Sequence, residues 1–171
     1  ASTAAGNPTS TVTIDASASR ARPFAHYWKR AFGSGHASLT LRGDWQDHLV
    51  RAVQDLGLEG VRHHGLLDDD MRVVTAPGTY NFTHVEASWR FQVAHNVTPI
   101  VELSFMPAVL ANCTWTGPGV NGRTVNPGHA ACVTGMQYRG VTMPPTSYTD
   151  WYDLVRALVQ HAVNTFGIDE V

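Results

Sequence analysis

Apolar strand-like runs alternate with helices that carry one apolar face, and that alternation limits the fold more than any other feature of the chain. Pro23 to Phe32 carries His26, Tyr27 and Trp28 into a Gly33-Ser34-Gly35 turn. It reads as a first strand with its exit, and Trp28 is expected in the core. Asp44 to Leu56 reads as a helix, with Asp44 at the N-cap and Gly57 at the C-cap. Leu49, Val53 and Leu56 form its apolar stripe. Gly60 and Val61 begin a second strand. Thr83-His84-Val85-Glu86 has capping-box spacing and opens a second helix, with Val85, Trp89 and Val93 inward and Asn96 at its end. Thr98 to Met106 has few polar residues, as a parallel strand covered on both faces requires. Ser147-Tyr148-Thr149-Asp150 repeats the capping-box spacing. The helix after it has an apolar face running from Trp151 through Leu154, Leu158 and Ala162 to Phe166, and stops at Gly167. Ile168 to Val171 points toward another strand. Together these runs specify a parallel α/β fold.

The polar residues gather in one place. Gly60-Val61-Arg62-His63-His64-Gly65-Leu66-Leu67-Asp68-Asp69-Asp70-Met71 is a short strand emptying into an acidic loop. Arg62, His63 and His64 put three hydrogen-bonding side chains at the strand's end, and Gly65 lets the backbone turn there. Polar groups at the carboxyl end of a core strand are the arrangement of a sugar or phosphate site in an α/β barrel. The competing reading is a solvated turn with one outward histidine. An open doubly wound sheet also fits the alternation, but no Gly-x-Gly-x-x-Gly or Walker-type loop follows a strand, so nucleotide binding lacks support.

Composition excludes several classes. The 171 residues are 43% hydrophobic and 15% charged, with a formal net charge of −2. There is no basic run for nucleic acid, and no apolar run of membrane-spanning length. Cys-x-x-Cys metal spacing is absent, and no cofactor or metal is expected. Asn81-Phe82-Thr83, Asn96-Val97-Thr98 and Asn112-Cys113-Thr114 are glycosylation acceptor triplets. Three in one short chain favour a secreted protein, or one of a lysosome-like compartment. Ala1 to Ser10 has the polar character of a processed mature end. Cys113 and Cys132, the only cysteines, share one long loop and are expected to bond in an oxidising compartment. Closing that loop would contribute roughly 3 kcal/mol in the chain-entropy account.

Four stretches carry a family resemblance in order. They are Phe32-Gly33-Ser34-Gly35-His36, the Arg62 to Met71 segment, Val101-Glu102-Leu103-Ser104-Phe105-Met106-Pro107, and Pro144-Pro145-Thr146-Ser147-Tyr148 through Phe166-Gly167-Ile168-Asp169-Glu170-Val171. The chain resembles glycoside hydrolase family 39, the β-xylosidase and α-L-iduronidase family. The resemblance implies the N-terminal portion of a (β/α)8 TIM barrel. Residues 23–171 would be its first three βα units. Residues 1–22 would be a tail and the strand Thr11-Val12-Thr13-Ile14-Asp15, which joins an accessory β-sandwich. It implies a retaining glycosidase acting on a carbohydrate such as a β-xyloside, whose two catalytic carboxyl groups stand roughly 5 to 5.5 Å apart. The family carries them on the fourth and seventh strands, so no catalytic residue is expected here and this chain alone is expected to be inactive.

The resemblance assigns a supporting shell. His64 matches the histidine that hydrogen-bonds a sugar hydroxyl, Phe105 the aromatic packed against the ring, and Arg62 an arginine near the nucleophile carboxylate. His36 stands where arginine is common, and His63 is left outside the shell. Glu102 is assigned to a structural ion pair with Arg62. The remaining strands would come from the rest of the same protein, as a second chain or further residues; a half-barrel forming a homo-oligomer is the alternative. The alternative function is a non-catalytic extracellular glycan-binding or structural protein on the same barrel.

Overall fold

The computed structural model describes residues 10–17, 22–113, 134–135 and 140–170. Three parallel strands form its central sheet: β1 (Phe32–His36), β2 (Gly60–His64) and, after two short strands, β5 (Thr98–Ile100), in the order β1-β2-β5. Helices α1 (Gly43–Leu56) and α2 (Thr83–Ala94) connect them, and α3 (Tyr148–Phe166) follows. Between β2 and α2, β3 (Val74–Ala76) and β4 (Thr79–Tyr80) make an antiparallel hairpin. β6 (Thr134–Gly135) and β7 (Gly140–Val141) pair antiparallel ahead of α3. The alternation read from the sequence is therefore present: strand, helix, strand, helix, strand, helix.

The helices form for the reasons the pattern suggested, with corrections at their ends. Leu49 of α1 packs with Val61 and Val97, and Val53, Trp45, Phe32 and Phe91 close around them. Gly57 ends the helix in the left-handed region at φ 63° and donates its N–H to Val53. Asp44 is not the N-cap; Arg42 is, with its guanidinium on the Asp44 carboxylate. Asp44 instead serves the first turn, where a negative charge faces the helix dipole. Leu56 is exposed, and the buried side chain at that end is Leu58, just past the turn. The capping box at Thr83 does not close. Phe82 holds the cap without a side-chain bond, the Asn81 side chain accepts from Thr83 N–H, and Glu86 turns sideways to Arg90 and to His161 of α3. Asn96, at φ 57°, terminates α2 as expected. Ser147 caps α3 by accepting from Asp150 N–H at 3.2 Å.

Strand positions depart further. β1 lies over the Gly33-Ser34-Gly35 segment rather than over Pro23 to Phe32, because Phe32 and Gly33 pair with Val61 and Arg62. Tyr27 to Lys29 form a 3-10 turn ahead of the sheet, so Trp28 is 43% exposed and not a core residue. The expected strand at Thr11–Asp15 is absent: those residues are exposed and irregular, with no ladder partner among the described residues. A lone strand without a partner is not stable in water. β5 stops at Ile100 instead of reaching Met106, and beyond it Val101 and Leu103 are 48% and 43% exposed.

The core lies between the loop after β2 and helices α2 and α3. Leu66, Leu67, Met71, Val73, Val85, Trp89, Leu154 and Leu158 are buried there. The acidic loop is thus anchored by two buried leucines and Asp68, while Asp69 and Asp70 stay exposed. Beside β5, an apolar groove of about 330 Å³ runs between Val101, Leu103, Val155, Val159 and Phe166.

Candidate functional site

Period-two alternation along β2 sorts its four polar and apolar side chains. Val61 and His63 are buried under α1 and α2, whereas Arg62 and His64 open onto the other face. The Arg62 guanidinium pairs with the Glu102 carboxylate, and Ser104 Oγ donates to the other Glu102 oxygen at 2.8 Å. Glu102 is therefore paired as expected, which a partly buried carboxylate needs. Ser104 also ties the two strand ends together. Its Oγ accepts from Gly65 N–H at 3.0 Å and its carbonyl accepts from Leu67 N–H at 2.7 Å. Phe105, after a cis peptide bond, brings its ring to 6.2 Å from the His64 ring at 63°. Gly140 lies against that ring, with no room for a Cβ. His64 and Phe105 thus meet at the carboxyl end of β2, and Arg62 opens onto the same face of that strand.

Two features of the site were not foreseen. His36 is buried, and its Nε2 lies 2.8 Å from Asp70 Oδ2 and 3.5 Å from Asp68 Oδ2. Burial, and then the neighbouring Asp70 charge, raises the Asp68 pKa above the ordinary carboxylate value. These three side chains bring donor atoms within 4.8 Å of one another, the arrangement among the described residues closest to a metal-ligand set. The direct approach of His36 Nε2 to the Asp70 carboxylate accounts for the cluster without an ion. His63 is the other feature. It is 1% exposed, and burial pushes its pKa down to about 4. Its Nε2 faces the Gln92 amide nitrogen at 3.4 Å, a donor that only an unprotonated ring nitrogen can receive. Gln92 donates in turn to Ser88 Oγ at 2.9 Å, and Thr40 Oγ1 lies 2.7 Å from that oxygen. The alternation from Val61 would have placed His63 inward; its partner Gln92, 29 residues on, left no local signal.

The sequence model of glycosyl hydrolases family 39 matches residues 10–171. The chain belongs to that family. A β-xylosidase of Caldicellulosiruptor saccharolyticus is 32% identical over 149 residues, covering 85% of this chain and 27% of the relative. A β-xylosidase of Geobacillus stearothermophilus is 32% identical over 155 residues, covering 86% of this chain and 27% of the relative. The chain therefore spans about a quarter of the length of these relatives. Among solved structures, the family 39 enzyme of Xanthomonas axonopodis pv. citri superposes with a TM-score of 0.69 at 25% identity. That match covers 88% of this chain and 27% of the other. A family 39 β-xylosidase of Caulobacter crescentus gives 0.68 at 24% identity, over 88% and 30%, and supports the fold.

Proposed function

We propose that the full-length protein carrying this chain is a retaining glycoside hydrolase acting on β-xylosides or related glycosides. In this reading residues 23–171 are the first three βα units of a (β/α)8 barrel, and residues 1–22 join an accessory β-sandwich once paired there. His64 hydrogen-bonds a sugar hydroxyl, Phe105 packs against the ring, and Arg62 lies near the nucleophile carboxylate. The catalytic carboxyl pair belongs to the remainder of the protein, so this chain alone is inactive. The same remainder covers the apolar groove beside β5, where Val101, Leu103 and Val159 are left exposed. The observation that supports the reading most is the meeting of His64 and Phe105 at the end of β2, with Arg62 and its partner Glu102 on the same strand face. Glu102, engaged by Arg62 and Ser104, does not supply that pair: it is a single carboxylate, and retention needs two carboxyl groups roughly 5 to 5.5 Å apart.

The full-length protein should cleave an aryl β-xyloside with retention of anomeric configuration. His64→Ala should lower kcat/KM roughly tenfold or more, since ~1.4 kcal/mol of lost transition-state stabilisation is one decade. NMR of the first-formed sugar and steady-state kinetics measure both. A folded full-length protein without turnover would favour the non-catalytic glycan-binding alternative.

The reading includes secretion, glycans at Asn81, Asn96 and Asn112, and a Cys113–Cys132 bond. Asn81 and Asn96 are exposed, Asn112 is half-buried, and no free cysteine occurs among the described residues; Cys132 lies outside them. Non-reducing peptide mapping of the secreted protein, before and after enzymatic deglycosylation, should recover the linked pair and show a mass loss. Two alkylated cysteines, or an unchanged mass, would remove that part of the proposal.

A further inference from the structure

We propose that His36, held by Asp68 and Asp70, is a positioning residue for His64, so that the loop after β2 aims the candidate sugar contact through the His36 ring. This deepens the glycosidase reading and rests on it for one of its two readouts. His36 and His64 are register partners across the parallel ladder of β1 and β2. Their rings lie 6.1 Å apart at 53°. The stronger link runs through Gly65, which turns the chain immediately after His64 at φ 78°. The His36 ring occupies the space beside that turn. A Cβ on residue 65 would fall 2.0 Å from His36 Cε1 and 2.3 Å from its Nδ1. The ring is therefore the surface on which the His64–Gly65 turn rests.

Two carboxylates approach the ring at Nε2. Asp70 Oδ2 stands 2.8 Å from Nε2 and Asp68 Oδ2 stands 3.5 Å away, while Asp68 Oδ1 accepts from Asp69 N–H at 3.0 Å. Asp69 Oδ1 accepts from Ala108 N–H at 3.1 Å, which ties the same loop to the segment just past Phe105. Three consecutive aspartates thus hold the two sides of the open face: Asp68 and Asp70 through His36, Asp69 through Ala108. A residue acting on a contact at one remove need shift it by only about 1 Å to cost much of its value.

The test uses the full-length protein. His36→Gln should lower kcat/KM for an aryl β-xyloside by between about 10- and 100-fold. In a His64→Ala background the same substitution should change kcat/KM by less than about twofold, because its target is gone. No loss in the first background, or equal loss in both, would overturn the proposal. The second readout needs no turnover. Asp70→Asn alters a 45% exposed side chain, and it should displace the His64 imidazole resonances through His36. That displacement should vanish once His36 is glutamine. Unmoved resonances overturn the proposal, whereas absence of hydrolysis by the unsubstituted protein counts against the glycosidase reading alone.

Discussion

Replacing Gly65 with alanine should destabilise the fold by about 2 to 5 kcal/mol, from two separable effects. The first is conformational. Residue 65 sits at φ 78°, where an L-residue costs about 1 to 2 kcal/mol. The second is steric, because the new Cβ would meet the His36 ring at 2.0 Å. That ring cannot swing aside cheaply: it is buried, and Asp70 and Asp68 hold its Nε2. Overpacking of this kind costs about 1 to 3 kcal/mol. Gly78 supplies the control. It has a similar φ of 75° in the β3–β4 turn, but nothing lies within 4 Å of its Cβ position. Gly78→Ala should show the conformational cost alone. Denaturant unfolding of both variants measures the difference, and equal losses at the two positions would show that the His36 contact carries no energy.

Where a local pattern has a local cause, the sequence was a reliable guide. The α3 stripe and the Ser147 cap depend on residues within one or two turns, and Leu154, Leu158 and Ala162 are buried as the stripe required. Gly57 and Asn96 end their helices because each must take a positive φ. The errors arose where the cause is distant. Tyr27 and Trp28 have strand-forming side chains, yet parallel pairing with Val61 and Arg62 begins only at Phe32. Glycines that suggested a turn after the strand lie within it. The opposite error occurred at Thr98 to Met106, where an apolar run continued past the last residue that has a neighbour to pair with.

The candidate site divides in the same way. Arg62, His64 and Phe105 were assigned through resemblance, and the Arg62–Glu102 pair followed from the need to neutralise a carboxylate among apolar residues. Ser104 was missed, although it bridges Glu102 to the Gly65 turn. A serine two residues after a glutamate carries no signal until the backbone bends them together. His36 was noticed only as a departure from a family pattern, because its partners Asp68 and Asp70 are more than thirty positions away.

His63 provides the second large effect, which is on stability at acid pH. Its folded pKa of about 4 lies below the ordinary value near 6.5. The unfolded chain therefore binds a proton between those two pH values that the folded chain does not. Stability from this group is fully present above about pH 6.5 and falls as pH drops toward 4, by about 3 kcal/mol in total. The cause is structural: burial excludes water, and a protonated Nε2 would point its hydrogen at the Gln92 amide donor. Unfolding free energy measured at pH 7, 6, 5 and 4 should show this loss. Acidic groups raised by burial, such as Asp68, act in the opposite direction: their folded form holds the proton more tightly. They oppose the His63 slope rather than mimic it. His63→Gln keeps a polar side chain facing Gln92 and removes the titration, so its stability should depend on pH about 3 kcal/mol less over the same range. Parallel curves for His63→Gln and the unsubstituted protein would mean that His63 has the same pKa folded and unfolded, and that the buried contact with Gln92 admits a charged ring.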